Sequence, residues 1–248
     1  MSLIIGNWKM RLSVAASVAL AEQLTQSSAS GVELVICPSF PSLVPVAAIL
    51  KGSQVAFGAQ DVASKEGGSY TGDVSASMLA EVGCRYVVVG HSERRRNHGE
   101  IESVIAEKIA MAVANHLVPI LCVGETAEER TTGASSSVVR QQLTALMSAA
   151  ASTGSLVVAY EPVWAISPHP AASAADATAM LPTLKEGLDA VLGPSWSTRV
   201  TILYGGSVDA KNVQGFVGSE SFGGVLVGSE SLHAESFLAI AAAVAPSA

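Results

Sequence analysis

Val118-Pro119-Ile120-Leu121-Cys122-Val123 decides the fold: it ends on four apolar residues in a row and passes straight into Gly124-Glu125-Thr126. A strand with one wet face alternates apolar and polar residues. A run without that alternation is buried on both faces, as in a parallel sheet. Upstream, Tyr86–Gly90 repeats the pattern with Val87-Val88-Val89, and downstream Leu156–Tyr160 is of the same kind. Farther out the strand-like runs are Leu3–Gly6, Glu33–Cys37, Gln54–Ala59, Arg199–Tyr204 and Gly223–Val227. Between them lie Ala- and Leu-rich stretches of helical period, among them Val14–Ser27, Ser103–His116, Ser136–Ala150 and Ala174–Leu192. Strict alternation of strand and helix predicts a parallel α/β architecture. Eight units suffice to close a barrel, whereas an open doubly wound sheet has about five or six strands, and the count alone leaves both open.

The length of 248 residues matches the roughly 250 of a single (β/α)8 barrel. The Ser-rich patches at Ser27–Ser30 and Ser135–Ser137 are too short to separate domains, so one domain over 1–248 is predicted. Hydrophobic residues make up 49% and charged residues 14% of the chain, enough to bury a large core. The apolar tail Ser236–Ala245 is far short of the ~20 residues a membrane span needs, so no membrane association is expected. Met1–Gly6 lacks a basic region leading into a long apolar run, so no signal peptide is expected either. A net charge of −7 argues against a nucleic-acid surface, which needs a basic face. The one basic run, Arg94-Arg95-Arg96, is flanked by Glu93 and Glu100 and reads as a local ion-pair cluster. Cys37, Cys84 and Cys122 have no metal-ligand spacing, and free buried thiols in a reducing cytoplasm are expected.

In a barrel of this kind the active site is built from the loops that follow the strands. After the first run come Asn7, Trp8 and Lys9; after the fourth, Gly90, His91, Ser92 and Glu93. Glu161-Pro162-Val163-Trp164 follows the sixth, Gly205-Gly206-Ser207 the seventh, and Gly228-Ser229 the eighth. Each has a plain structural role when taken alone; a lone histidine after a strand is more often structural than catalytic. Their joint placement on one rim points to chemistry. A carboxylate takes a proton beside a carbonyl, a neutral imidazole polarises the oxygens, and a cation stabilises the developing enediolate. Backbone N–H groups of the last two loops suit a phosphate.

Asn7-Trp8-Lys9-Met10, Gly90-His91-Ser92-Glu93-Arg94-Arg95, Cys122-Val123-Gly124-Glu125-Thr126, Ala159-Tyr160-Glu161-Pro162-Val163-Trp164-Ala165-Ile166 and Tyr204-Gly205-Gly206-Ser207-Val208 resemble, in order and spacing, the triosephosphate isomerase family. The resemblance runs from residue 7 to about 232 and implies a closed barrel of eight parallel strands. It implies a cytoplasmic, glycolytic enzyme that interconverts dihydroxyacetone phosphate and D-glyceraldehyde 3-phosphate. Glu161 is then the base, His91 the neutral electrophile, Lys9 the stabilising cation and Asn7 a residue that orients the site. Ser207, Gly228, Ser229 and the Ser167 N–H of a closing lid are implied phosphate ligands. Glu93 beside Lys9, Glu125 paired with Trp164, and Tyr204 are implied supports, with Arg94 and Glu100 structural. The loop Gln60–Asp73 is implied to enter a second copy of the chain in a homodimer, bringing Thr71 to the partner's site. No metal or organic cofactor is implied.

The chain departs from the family's pattern in three places. Ser167-Pro168-His169-Pro170 stands where the family has Gly-Thr-Gly-Lys, and the two prolines fix φ and remove two donors. Either the lid still closes with altered kinetics, or it cannot close properly, water is not excluded and turnover falls by orders of magnitude; two further readings are another phosphosugar substrate and a catalytically impaired phosphate-binding scaffold. Arg11-Leu12 replaces Asn-Gly near the expected dimer contact, and Ser229-Glu230 replaces Gly-Ala in the phosphate loop. A carboxylate at Glu230 is expected to repel phosphate unless it points away.

Overall fold

The computed structural model describes residues 1–26, 31–149, 155–166, 171–218 and 221–245. Eight parallel strands, β1 (Ser2–Asn7), β2 (Val32–Cys37), β3 (Ala56–Ala59), β4 (Tyr86–Val89), β5 (Val118–Val123), β6 (Val157–Tyr160), β7 (Thr201–Tyr204) and β8 (Gly224–Val227), close into a barrel in chain order. β8 returns to β1 with Leu3 opposite Gly224 and Gly6 opposite Val227. At that seam a side chain on Gly224 would run into the Leu3 backbone, so only glycine lets the two strands meet.

The unbroken apolar runs have a direct cause. Ile120 and Cys122 of β5 point into the barrel with Val88, Ala159 and Leu203. Leu121 and Val123 point outward under the helices with Val87, Val89 and Tyr160. Neither face of the strand meets water, so neither admits a polar residue. The helices form the outer layer, and two differ from their sequence patterns. Ala174–Leu192 is two helices, Ala174–Thr178 and Leu181–Leu192, because Pro182 is accommodated only in the first turn of the second. Ser136–Ala150 is an α-helix over Ser135–Leu143 that tightens to 3-10 over Thr144–Ala149. β3 begins two residues later than its pattern, at Ala56. Cys37, Cys84 and Cys122 are free and buried, and burial pushes the Cys84 thiol up to about 12. No helix among the described residues is long and apolar enough to cross a membrane.

Part of the Arg94–Arg96 run belongs to a buried charge cluster. Lys108 Nζ contacts Asp61 at 2.7 Å and Glu100 at 2.5 Å, and Arg94 reaches the same two carboxylates at 2.9 and 2.6 Å. Burial pushes the Asp61 carboxyl up, and Lys108 only partly pulls it back. At Glu100 burial is outweighed by Lys108 and Arg94, which hold the carboxyl below its ordinary value. Glu100 thus contributes stability above the ordinary carboxylate range that is lost as pH falls through its lowered pKa; Asp61 works the other way. Lys108→Met is expected to cost about 3 kcal/mol at neutral pH, the low end for a broken buried pair because Arg94 remains. Denaturant titration should show that deficit shrink on acidification, as the stranded carboxylates take up protons. An undiminished deficit at low pH would count against the ion-pair account.

Candidate active site

Asn7 ends β1, and its Oδ1 accepts from the Lys9 N–H at 3.1 Å. Lys9 is held at φ 50°, a left-handed conformation that costs a non-glycine residue roughly 1 kcal/mol or more. Gln60 supplies the restraint. Its Nε2 donates at 2.9 Å both to the Lys9 carbonyl and to the Cys37 carbonyl, tying the Lys9 turn to the end of β2. The Lys9 ammonium reaches Glu93 at 2.7 Å. In the sequence Gln60 only opens the loop Gln60–Asp73. Its acceptors are backbone carbonyls, which leave no mark in residue type.

His91 follows β4 and caps the helix Ser92–His98, its Nδ1 accepting from the Glu93 N–H at 3.2 Å. Its Nε2 lies 3.1 Å from Glu161 Oε1. Burial disfavours the imidazolium, but the Glu161 carboxylate outweighs it and raises the pKa of His91 above its ordinary value. The Glu93 N–H, however, occupies the Nδ1 lone pair. The ring is therefore set as the Nε2–H tautomer, donating to Glu161. When Glu161 turns to another proton, that upward push weakens, and burial and Lys9 favour the neutral ring.

Glu161 follows β6 and is only 3% exposed. Its own N–H donates to the Val123 carbonyl at 2.7 Å, and its Oε2 lies 3.5 Å from the Ser92 N–H. Gly124 makes room for it, since a Cβ there would run into the Glu161 carbonyl. Gln142 fixes Gly124 from the other side, accepting from its N–H at 2.7 Å and donating to its carbonyl at 3.2 Å.

Just beyond Glu161, the buried Glu125 accepts from Trp164 Nε1 at 2.8 Å and from the Tyr160 hydroxyl at 3.1 Å. Burial and then Glu125 push the Tyr160 hydroxyl well up, so it stays a donor. The Arg130 guanidinium stacks 4.1 Å over the Trp164 ring and bonds Asp176 at 2.8 Å. Tyr204 stacks on Phe216 at 4.0 Å, and its buried hydroxyl has no hydrogen-bond partner among the described residues. Ser207 donates to the Ala165 carbonyl through its hydroxyl at 3.2 Å. Ser167–Pro170, on which the lid expectation falls, lies outside the described residues.

Asn7, Lys9, His91 and Glu161, together with Gly205–Ser207 and Gly228–Glu230, line one cavity of about 200 Å³. Thr71 stands away from it, exposed at the tip of the Gln60–Asp73 loop. The cavity thus brings together a carboxylate, an imidazole and a cation with two loops of small residues, a layout suited to moving protons on a small anion. Among the described residues no three His, Cys, Asp or Glu side chains stand together as metal ligands.

A family model described as triosephosphate isomerase matches residues 2–244. The triosephosphate isomerase of Acidiphilium cryptum is 44% identical over 250 residues, covering 98% of each chain. That of Symbiobacterium thermophilum is 42% identical over 247 residues, covering 98% of this chain and 96% of its own. That of Thermus thermophilus is 42% identical over 241 residues, covering 96% of each.

Proposed function

The chain belongs to the triosephosphate isomerase family and is an aldose–ketose isomerase, and we propose that Glu161, His91 and Lys9 carry its reaction. The substrates are dihydroxyacetone phosphate and D-glyceraldehyde 3-phosphate. The observation that carries this assignment is the 3.1 Å approach of His91 Nε2 to Glu161 Oε1 inside the cavity that Lys9 also lines.

With substrate bound, Glu161 removes a proton from one carbon and returns it to the neighbouring carbon. The base is buried, so the proton is not lost to bulk water. The Nε2–H of neutral His91 polarises the carbonyl and shuttles protons between the two oxygens as the enediolate forms. The Lys9 ammonium, held by the Gln60 and Asn7 contacts to its backbone, stabilises the developing negative charge. Glu93 holds that ammonium in place. Ser207 and the backbone of Gly228 and Ser229 receive the phosphate, joined by the Ser167 N–H when the lid closes. Glu125 and Trp164 brace the segment just beyond Glu161, and Tyr204 is a further support of the site. A coupled assay from either triose phosphate tests the assignment; absence of turnover in both directions would remove it.

The chain works in the cytoplasm as a homodimer in which Gln60–Asp73 of one copy packs on the other and Thr71 reaches the partner's cavity. Surface chemistry supports this: Met10 is 95%, Met78 55% and Tyr70 48% exposed, an apolar cost to leave in water. Sedimentation at micromolar concentration is expected to give twice the mass of one chain, and a monomer would remove the dimer reading. Arg11 is exposed beside Met10, where Glu66 or Asp73 of the incoming loop would offset it.

A further inference from the structure

One charged side chain in the cavity stands without a partner. Glu230 lines it beside Gly228 and Ser229, on the turn Ser229–Leu232 that follows β8. Among the described residues its carboxylate makes no hydrogen bond or ion pair. The cation lining the same cavity offers it little, because the Lys9 ammonium is engaged by Glu93 at 2.7 Å. Glu161 adds a second carboxylate to the same walls.

The turn that carries Glu230 is held in place. The Ser231 N–H and hydroxyl both donate to the Gly228 carbonyl, at 3.0 and 2.6 Å. Ser231 is fully buried and packs so closely on Gly6 of β1 that a Cβ on Gly6 would lie 2.8 Å from the Ser231 Cβ. The backbone at 230 cannot retreat without disturbing that contact. Glu230 is therefore carried on an anchored turn that lines the corner proposed above to take the phosphate.

We infer that Glu230 is a specificity-determining residue that weakens this corner for a dianionic phosphate ester relative to a monoanionic ligand of the same shape. The inference rests on the phosphate-binding reading proposed above. Coulomb repulsion scales with the ligand's charge, so a doubly charged group loses about twice the binding free energy of a singly charged one.

The test compares Glu230→Gln with the unaltered protein in calorimetric titrations with glycerol 3-phosphate and glycerol 3-sulfate. At mildly alkaline pH, above the second phosphate pKa of about 6, the first is a dianion and the second an isosteric monoanion. Glu230→Gln is expected to tighten the phosphate ester roughly three- to tenfold and the sulfate ester by about the square root of that factor. Glu230→Ala should reproduce the changed ratio, and added salt should shrink it. Equal shifts for both ligands, no shift, or weaker phosphate binding would overturn the inference, since a merely structural role moves both ligands alike. If the unaltered chain isomerises and binds glycerol 3-phosphate while the ratio stays fixed, the role of Glu230 alone falls. If it neither isomerises nor binds either ester, the proposed function falls with it.

Discussion

Glu161→Gln is expected to lower kcat by roughly 10²- to 10⁴-fold, the range of a lost general base, with KM within a few fold. That is about 3–5 kcal/mol of transition-state stabilisation. The substitution is chosen because almost nothing else changes. Glutamine has the same length and shape, and its carbonyl oxygen still accepts from the His91 Nε2–H that now lies 3.1 Å away. The Glu161 N–H bond to the Val123 carbonyl is backbone and survives. The variant should therefore melt within a degree or two of the unaltered chain and still bind a phosphate ester. What it lacks is a lone pair basic enough to take a carbon-bound proton. His91 provides a second readout. Because the carboxylate is what raises its pKa, removing that charge lets burial and Lys9 dominate, and the imidazole titrates at lower pH. NMR titration of the His91 ring would show it. Full activity in the variant would dismiss Glu161 as the base, and an unmoved His91 would dismiss the pairing.

Gly124→Ala should damage the fold and the site together. The added methyl would overlap the Glu161 carbonyl, and that atom belongs to backbone that no rotamer change can move. Gly124 cannot yield either, since Gln142 grips both its N–H and its carbonyl. The strain must part the ends of β5 and β6, stretching the 2.7 Å bond from the Glu161 N–H to the Val123 carbonyl. A backbone clash in a rigid rim belongs with the most damaging single changes, here about 4 kcal/mol or more of stability. Displacing the base by about 1 Å is expected to cost a further hundredfold in kcat for the folded fraction. Thermal denaturation and an assay corrected for folded protein separate the two. Ordinary values in both would show that the β5–β6 rim is softer than its contacts imply.

Val118–Val123 was legible to the residue, and the alternate inward and outward packing of Ile120, Leu121, Cys122 and Val123 explains why. That Lys9, His91 and Glu161 meet at one rim was legible for a related reason. Lys9, His91 and Glu161 each follow a strand, and strands that run parallel deliver their ends to one side. Helix limits were less legible where proline position or end geometry decides them, as at Pro182 and at the 3-10 turn Thr144–Ala149. Among the supports, the Glu93–Lys9 and Glu125–Trp164 contacts follow from the family resemblance, but Gln60 and Gln142 were not legible. Gln60 serves the backbone of Lys9 and Cys37, 51 and 23 residues away, and Gln142 serves Gly124 from 18 residues away. An amide on a carbonyl is chosen by position in space, and any polar loop could contain such a residue.

By itself, then, the sequence determined which segments are strands buried on both faces and which residues reach the rim. Those properties depend on residue type and local period, which are read along the chain. Only the tertiary structure decided that β8 closes on β1 and that His91 and Glu161 stand 3.1 Å apart. It alone set Lys9 at φ 50° and joined Asp61, Glu100 and Lys108 in one buried cluster. These depend on groups far apart in the chain meeting within a few ångströms. Hydrogen bonding and Coulomb interaction act at those distances, and residue order alone does not specify them.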